Sequence, residues 1–119
     1  LFTPWSEPLP LNTLIGKSVL VVVWSPDLPS CRARNKEIAK LMWRYRNLGL
    51  ETYMINMNPN SELWKKAIKE DELNCLHVSD LKGFESPVIS TLALSSLPSN
   101  FLLNKEKNFI QLIDFIKLS

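Results

Sequence analysis

Residues 16–24 read GKSVLVVVW, and this stretch decides how the chain folds. Residues 19–24 contain no polar member, and a short run that is apolar on every side is typical of a strand buried on both faces, as in a parallel sheet. Two prolines and several helix-capping residues follow in residues 25–30. From residue 31 to about residue 48 the spacing becomes that of an amphipathic helix, whose apolar side carries Ile38, Leu41, Met42 and Tyr45.

Strands and helices alternate along the rest of the chain. Strands are predicted at residues 50–57, 75–78 and 99–103, and helices at residues 62–71 and 86–92. The spacing of apolar residues in residues 109–118 fits either a strand or a helix, so both predictions are kept for this tail. Residues 1–15 carry three prolines and predict an extended lead-in. The alternation predicts one α/β domain over residues 1–119, with a central sheet flanked by helices.

Composition excludes several classes of protein. The chain has 119 residues, of which 45% are hydrophobic and 22% charged, and a formal net charge of +2. Disorder is excluded, and the charge is too small to indicate a nucleic-acid partner. The longest unbroken apolar run, residues 19–24, is far shorter than the ~18 residues that a membrane span needs. With one histidine and two cysteines, we expect no disulfide framework, no metal and no other cofactor.

A resemblance to a known family rests on four segments. Residues 16–24, followed by Cys31-Arg32, resemble the thioredoxin superfamily, and most closely the TlpA/ResA-like thiol–disulfide oxidoreductases of bacterial envelopes. Residues 64–68 and 77–83 match further segments of that family. Residues 97–103, LPSNFLL, are similar to the segment that holds the family's cis-proline. The resemblance covers residues 11–108 and implies a thioredoxin-like fold with a central mixed sheet flanked by helices.

The functional prediction rests on the positions at which this chain departs from the family pattern. Residues 28–31, LPSC, fall on the Cys-x-x-Cys motif, so Leu28 stands where the family has its attacking cysteine. Cys31 corresponds to the resolving cysteine and is the remaining catalytic candidate. Many thioredoxins carry a buried acid where this chain has Val22. We therefore expect that dithiol exchange, which needs an exposed thiolate to attack, has been lost.

Two functions remain open on the sequence. In the first, the domain is a binding or accessory module that docks a protein or peptide along the cis-proline loop, through Trp24, Pro29, Leu97 and Pro98. In the second, it is a one-cysteine oxidoreductase that uses Cys31 with an external resolving thiol. Cys31 itself is either a reactive helix-terminal thiol or a small buried hydrophobe. The second interpretation is favoured, because free cysteines are among the most buried residues in proteins.

Other chemistries on these residues are rejected by spacing. A peroxiredoxin motif would need a cysteine at Ala33. His77, Ser79 and Asp80 contain the letters of a hydrolase triad but lie too close together in the sequence to form one. Cys75 lies outside the motif, and the resemblance gives no reason to expect a bond with Cys31.

The family also implies a location, the bacterial periplasm or cell envelope. The chain begins at Leu1 rather than at a methionine, so we expect that a leader has been removed, and a membrane anchor before Leu1 is compatible with the sequence. The basic side chains between residues 32 and 46 predict a solvated helix face. Trp24, Trp43 and Trp64 are expected in the core or at its edge, and Trp5 is a candidate for an interface.

Overall fold

The computed structural model describes residues 1–14, 16–92, 94, 96–106 and 109–112, the last four as backbone. Five strands form one sheet: β1 Ser18–Trp24, β2 Leu50–Asn56, β3 Leu76–Val78, β4 Ser99–Leu103 and β5 Phe109–Leu112. The α-helices are α1 Pro29–Tyr45, α2 Ser61–Glu70 and α3 Pro87–Thr91. Short 3-10 turns lie at Leu11–Thr13, Arg46–Leu48 and Gly83–Glu85. These helices and strands confirm the predicted α/β class.

The sheet is mixed, with the strand order β3-β2-β1-β4-β5. β1 pairs in parallel with β2, which pairs in parallel with β3, whereas β4 pairs antiparallel with both β1 and β5. β1 is therefore central, and its residues 19–24 are all buried, as its unbroken apolar sequence predicts.

Alternation along β1 builds two cores on the two faces of the sheet. Leu20, Val22 and Trp24 pack on the face covered by α1 and α2, where Trp64 and Ala67 complete the cluster. On the other face, β1 contributes Val19, Val21 and Val23, and the lead-in and α3 cover them with partly buried side chains. We call the first face the α1 face.

The helix ends follow local sequence signals. Gly49 adopts a left-handed conformation with φ of 91° directly after the 3-10 turn that extends α1, which is the conformation that glycine permits most readily. The Asn60 side chain caps α2 by accepting the N–H of Leu63 at 3.1 Å. Ser86 caps α3 by accepting the N–H of Val88 at 3.2 Å.

The two ends of the chain refine the sequence predictions. The lead-in is not extended throughout, because Leu11–Thr13 forms a 3-10 turn. Phe2 also pairs with the end of β3, exchanging hydrogen bonds of 3.0 and 2.8 Å with the backbone of Ser79. In the tail, Phe109–Leu112 is a strand, and residues 113–118 of the open prediction lie outside the described residues.

One tryptophan corrects the expected core. Trp24 and Trp64 are buried, but the Trp43 side chain is 76% exposed, so the prediction that it lies in the core or at its edge is wrong. It projects from the solvent side of α1, and the Arg46 guanidinium lies 5.0 Å from its ring centroid. Among the described helices, none has both the length and the apolar character needed to cross a membrane.

Candidate functional site

The residues predicted to form the site meet where β1 ends and α1 begins. The loop turns at Ser25, whose carbonyl accepts the N–H of Leu28 at 3.2 Å. Leu28 is the N-cap of α1, in an extended conformation, and its carbonyl accepts the N–H groups of Cys31 at 3.0 Å and Arg32 at 3.1 Å. Pro29 occupies the first turn, where its missing N–H is not needed. Leu28 is thus held at the positive end of a 17-residue helix.

The Leu28 side chain offers no chemistry at this position. It makes no capping hydrogen bond and is half-buried against the cluster on the α1 face. A thiol at the same place would lie where backbone N–H groups and the helix dipole favour its ionised form. A leucine at this position leaves an apolar contact where exchange chemistry would need a nucleophile.

Cys31 points into the core. Its side chain is 0% exposed and belongs to the same cluster as Val22 and Trp24. The sulfur accepts the N–H of Ser25 at 3.4 Å. Burial raises the pKa of the Cys31 thiol, and the negative charge of Asp27 adds to the effect. The thiol is therefore protonated at neutral pH and out of reach of an external disulfide.

The strand beside Cys31 carries no acid. Val22 is completely buried, and Asn100 lies directly opposite it on β4, so the two side chains share the α1 face. Asn100 is 7% exposed, and its Oδ1 has no hydrogen-bond partner in the part of the chain that the structure describes. Sequence reasoning missed this residue, although a polar side chain inside an apolar strand was a usable signal.

The cis-proline loop borders the same end of β1. Ser99, the first residue of β4, pairs with Val23, so Pro98 lies beside the end of β1. The Leu97–Pro98 peptide bond is cis. Leu97 is half-buried against the clusters on both faces of the sheet. Within the described residues, the N–H and C=O of Leu97 make no hydrogen bond and are free to pair with a partner.

Trp24 does not contribute to the surface of this site. Its side chain is 0% exposed, so the structure corrects its assignment as a residue that contacts a partner. Pro29 is exposed, and Leu28, Leu97 and Pro98 are half-buried, so these four residues form the accessible surface. We call them the loop surface. Trp24 supports it from below.

Arg32 ties the start of α1 to the end of α2. Its guanidinium makes two hydrogen bonds to Asp71, of 2.7 and 3.1 Å, and one of 3.0 Å to Glu70. Asn35, which is buried, donates to the same Asp71 carboxylate at 2.8 Å. The hydrogen bonds with Asp71 raise the pKa of Arg32. This cation is therefore committed to structure, and Asp71 and Asn35 are supporting residues that the sequence did not indicate.

A polar network fixes the loop from the other side. Ser25 donates its hydroxyl to Asp27, and this hydrogen bond lowers the pKa of that carboxyl. Asn58 donates its side-chain amide to Asp27 at 3.1 Å. Asn56, at the end of β2, connects the network to Ser79 at 3.2 Å. The loops after β1, β2 and β3 are thereby held together beneath the candidate site.

The second cysteine lies apart from the motif. Cys75 is half-buried, and its sulfur lies 3.5 Å from His77 Nε2, which contacts the carbonyl oxygen of Leu73 at 2.8 Å. Burial raises the pKa of Cys75, and burial lowers the pKa of His77. Both cysteines are free thiols. The pair is a neutral thiol and a neutral imidazole, an arrangement without an activated nucleophile.

Ser79 and Asp80, two of the residues considered for a hydrolase triad, make structural hydrogen bonds instead. Ser79 donates its hydroxyl to the Asn56 carbonyl at 2.9 Å. Asp80 accepts the Ser86 hydroxyl at 2.5 Å and the backbone N–H of Lys82 at 3.0 Å. The described residues contain no group of three or more potential metal ligands.

A separate groove of about 830 Å³ lies on the opposite face of the sheet from α1. Its floor contains Val21, Tyr53 and Ile55, and its walls come from the lead-in and α3. None of the predicted site residues lines it. This groove is therefore separate from the candidate site.

Comparisons with known proteins agree on the fold. No family model matches the chain, and no curated protein matches it. Among solved structures, the thioredoxin domain of a thiol–disulfide oxidoreductase from Bacteroides vulgatus superposes with a TM-score of 0.86 at 24% identity, covering 93% of this chain and 79% of that one. A thiol–disulfide oxidoreductase from Bacteroides fragilis gives a TM-score of 0.86 at 24% identity, over 94% of this chain and 84% of that one.

A structure of lower sequence identity has the same fold. A secreted disulfide oxidoreductase from Mycobacterium tuberculosis gives a TM-score of 0.81 at 14% identity, over 99% of this chain and 89% of that one. At these identities the likeness establishes the fold. The predicted thioredoxin-like fold, similar to that of thiol–disulfide oxidoreductases, is confirmed.

Proposed function

We propose that this thioredoxin-fold domain is a binding or accessory module of the bacterial envelope that no longer carries out dithiol exchange. The observation that carries the proposal is the pair of positions at the start of α1. Leu28 holds the place of an attacking thiol, and the Cys31 thiol is 0% exposed. Neither side chain can form a mixed disulfide with an external protein in the native state.

The one-cysteine alternative is disfavoured by the surroundings of Cys31. An attacking thiol has to be both exposed and ionised, and burial opposes both conditions here. Val22 and Asn100 supply no carboxylate that could accept the proton of this thiol. The alternative would require the first turn of α1 to open before each reaction.

The loop surface supports a binding role. Pro29, Leu28 and Pro98 give an apolar contact area, and Leu97 offers an unpaired N–H and C=O beside it. An extended peptide segment could pair with Leu97 as an added strand while its side chains meet the apolar residues. The occupant proposed for this surface is therefore an extended segment of a protein partner.

The envelope location rests on the structural relatives. The Mycobacterium tuberculosis protein is described as secreted, and the other compared proteins are oxidoreductases of the same fold. Disulfides form and persist outside the cytosol, and the secreted oxidoreductase is exported to such an environment. Fractionation of cells that express the full-length gene product tests the location directly, and recovery in the cytosolic fraction would contradict it.

The binding proposal is tested with matched variants of the loop surface. The native chain and the Leu97→Pro variant, which removes the free N–H, are immobilised and exposed to solubilised envelope proteins. A partner retained by the native chain and lost with Leu97→Pro supports pairing at this loop. Pro8→Ala, on an exposed residue of the lead-in, is the control and should retain the partner. Equal retention by all three proteins would overturn docking at Leu97.

A further inference from the structure

An exposed patch at the far end of α1 is not explained by the function proposed above. The Trp43 side chain is 76% exposed and the Leu48 side chain 77% exposed, and both lie within the last turns of α1 and the 3-10 turn that follows. Large apolar side chains this exposed lose the benefit of burial, and Trp43 in addition lies among the basic side chains of α1.

Cations lie on the same side of α1 as Trp43. Lys36, Lys40 and Arg44 are exposed and recur every four residues, which places them along one side of α1. Trp43 follows Lys40 by three residues and Lys36 by seven, so it lies beside these two lysines. None of the three forms an ion pair with any residue that the structure describes. Arg46 lies over the Trp43 ring at 5.0 Å. The patch consists of Lys36, Lys40, Trp43, Arg44, Arg46 and Leu48.

Charge of one sign dominates the patch. Glu37 is the single acidic residue of α1, and it is half-buried. Arg32, at the other end of the helix, is neutralised by Asp71 and Glu70, whereas the cations of the patch have no such partners. A net charge of +2 for the whole chain means that this concentration is local and not a property of the entire surface.

We propose that this patch docks the domain onto an anionic lipid bilayer. Tryptophan and leucine enter the headgroup region of a bilayer, where the indole ring is partly solvated, while lysine and arginine reach the lipid phosphates. A helix side is convex, whereas proteins that bind single-stranded nucleic acid use a groove, and Leu48 offers no ring for a base to stack on. The combination of apolar and basic side chains therefore fits a lipid surface better than a nucleic acid.

The geometry of α1 gives the docking a consequence. The patch runs from Lys36, near the middle of α1, to Leu48 beyond its end, whereas Leu28 and Pro29 lie at the start of this helix of 17 residues, which is about 25 Å long. The patch shares no residue with the loop surface, so a domain bound through it would leave Leu28 and the cis-proline loop outside the lipid contact. The lipid contact is independent of the redox state of the motif, so it stands whether or not the function proposed above holds.

Vesicle sedimentation tests the proposal with the intact chain. Vesicles of phosphatidylglycerol and phosphatidylcholine in equal amounts should pellet the protein, vesicles of phosphatidylcholine alone should not, and added salt should weaken the binding. Lys40→Gln with Arg44→Gln should lower the affinity by about 25-fold, because each cation near an anionic surface contributes about five-fold. Trp43→Ala with Leu48→Ser should also weaken binding without changing the charge.

A matched control removes the same charge elsewhere. Lys66→Gln with Lys69→Gln changes two exposed lysines of α2, outside the patch, and should leave binding within about two-fold of the native chain. Circular dichroism spectra confirm that each variant is folded. Failure of the native chain to bind anionic vesicles, or an equal loss in the control, would overturn the proposal. Tighter binding to a single-stranded RNA oligonucleotide than to the vesicles would also overturn it.

Discussion

At the first turn of α1, Leu28 reaches the surface while the Cys31 thiol faces the core. The difference follows from helix geometry, because residues at the N-cap lie outside the hydrogen-bonded turns and Cys31 lies on the same side as Ile38 and Met42. The proposed loss of exchange chemistry rests first on the leucine at residue 28. Restoring a thiol at residue 28 should restore part of the chemistry.

The Leu28→Cys variant is expected to form an intramolecular disulfide with Cys31. Residues three apart at a helix start are close enough for such a bond. The new thiol should have a pKa below the ~8.5 of a free cysteine, because the helix dipole stabilises its thiolate. The variant should reduce insulin slowly while the native chain reduces none, since Val22 cannot accept the proton of Cys31. Insulin turbidity and thiol titration measure both effects.

Leu28→Ser is the matched control for this experiment. It introduces a polar capping side chain at the same place without a thiol, so it should fold and remain inactive. Strong insulin reduction by the native chain would contradict the loss of activity. An oxidised Leu28→Cys variant that reduces nothing would instead locate the loss in the loop surface.

The single histidine predicts how stability depends on pH. Burial lowers the folded-state pKa of His77 below the ~6.5 of the unfolded chain. The unfolded state thus binds the proton more readily, and the free energy of unfolding should decrease as the pH falls below about 6.5, by at most about 1.4 kcal/mol per pH unit. Urea denaturation between pH 7.5 and about pH 5, above most carboxyl pKa values, measures this slope.

His77→Gln provides the control for the pH dependence. Glutamine retains a donor for the Leu73 carbonyl and does not titrate, so the slope between these pH values should disappear even if the variant is less stable overall. A slope that persists in His77→Gln would assign the pH dependence to another group.

At the scale of elements, α1 and α2 are joined by the contact of Arg32 with Asp71. The side chain of Asp71 is 13% exposed, so removing its cation leaves a nearly buried carboxylate with Asn35 as its remaining partner. We expect Arg32→Met to lower the free energy of unfolding by roughly 1–3 kcal/mol. Lys36→Met, on an exposed cation without an ion pair, should change it by less than about 0.5 kcal/mol.

A double-mutant cycle separates the interaction energy of Arg32 with Asp71 from the effects of the two single substitutions. Asp71→Leu combined with Arg32→Met should cost less than the sum of the two single changes, because neither charge is then left without its partner. Urea midpoints of the four proteins give the coupling energy. Strict additivity would show that Arg32 and Asp71 do not act as a pair.

The elements themselves were largely readable from sequence patterns. The valine-rich β1, the capped starts of α2 and α3 and the glycine after α1 were predicted within a few residues. The side of α1 that faces the core was harder, because its centre includes the polar Asn35, which is buried against Asp71. The apolar spacing instead predicted that Tyr45 lies on the buried side of α1, although its side chain is 38% exposed. Because the predicted buried side was displaced around the helix, the exposure of Trp43 was not predicted.

For the whole molecule, local patterns predicted the α/β class but not the assembly. The strand order β3-β2-β1-β4-β5 depends on pairings between residues far apart in sequence, and only the family resemblance anticipated the mixed sheet. The polar Asn100 within an apolar strand is a local signal, but its position opposite Val22 arises from that register and could not be predicted locally. The positions of Leu28 and Cys31 at the start of α1 could be predicted from sequence because their spacing is local, whereas their functional roles stay a prediction.

We expect the native fold to keep the Cys31 thiol from reacting with external disulfides. The measurement is the reaction of Cys31 with a chromogenic aromatic disulfide, in a Cys75→Ser variant that leaves Cys31 as the only thiol. The native protein should react several thousandfold more slowly than the urea-unfolded protein, since a buried thiol reacts only through openings that require about 5 kcal/mol. A native Cys31 that reacts as fast as the unfolded chain would contradict the account and support the one-cysteine oxidoreductase.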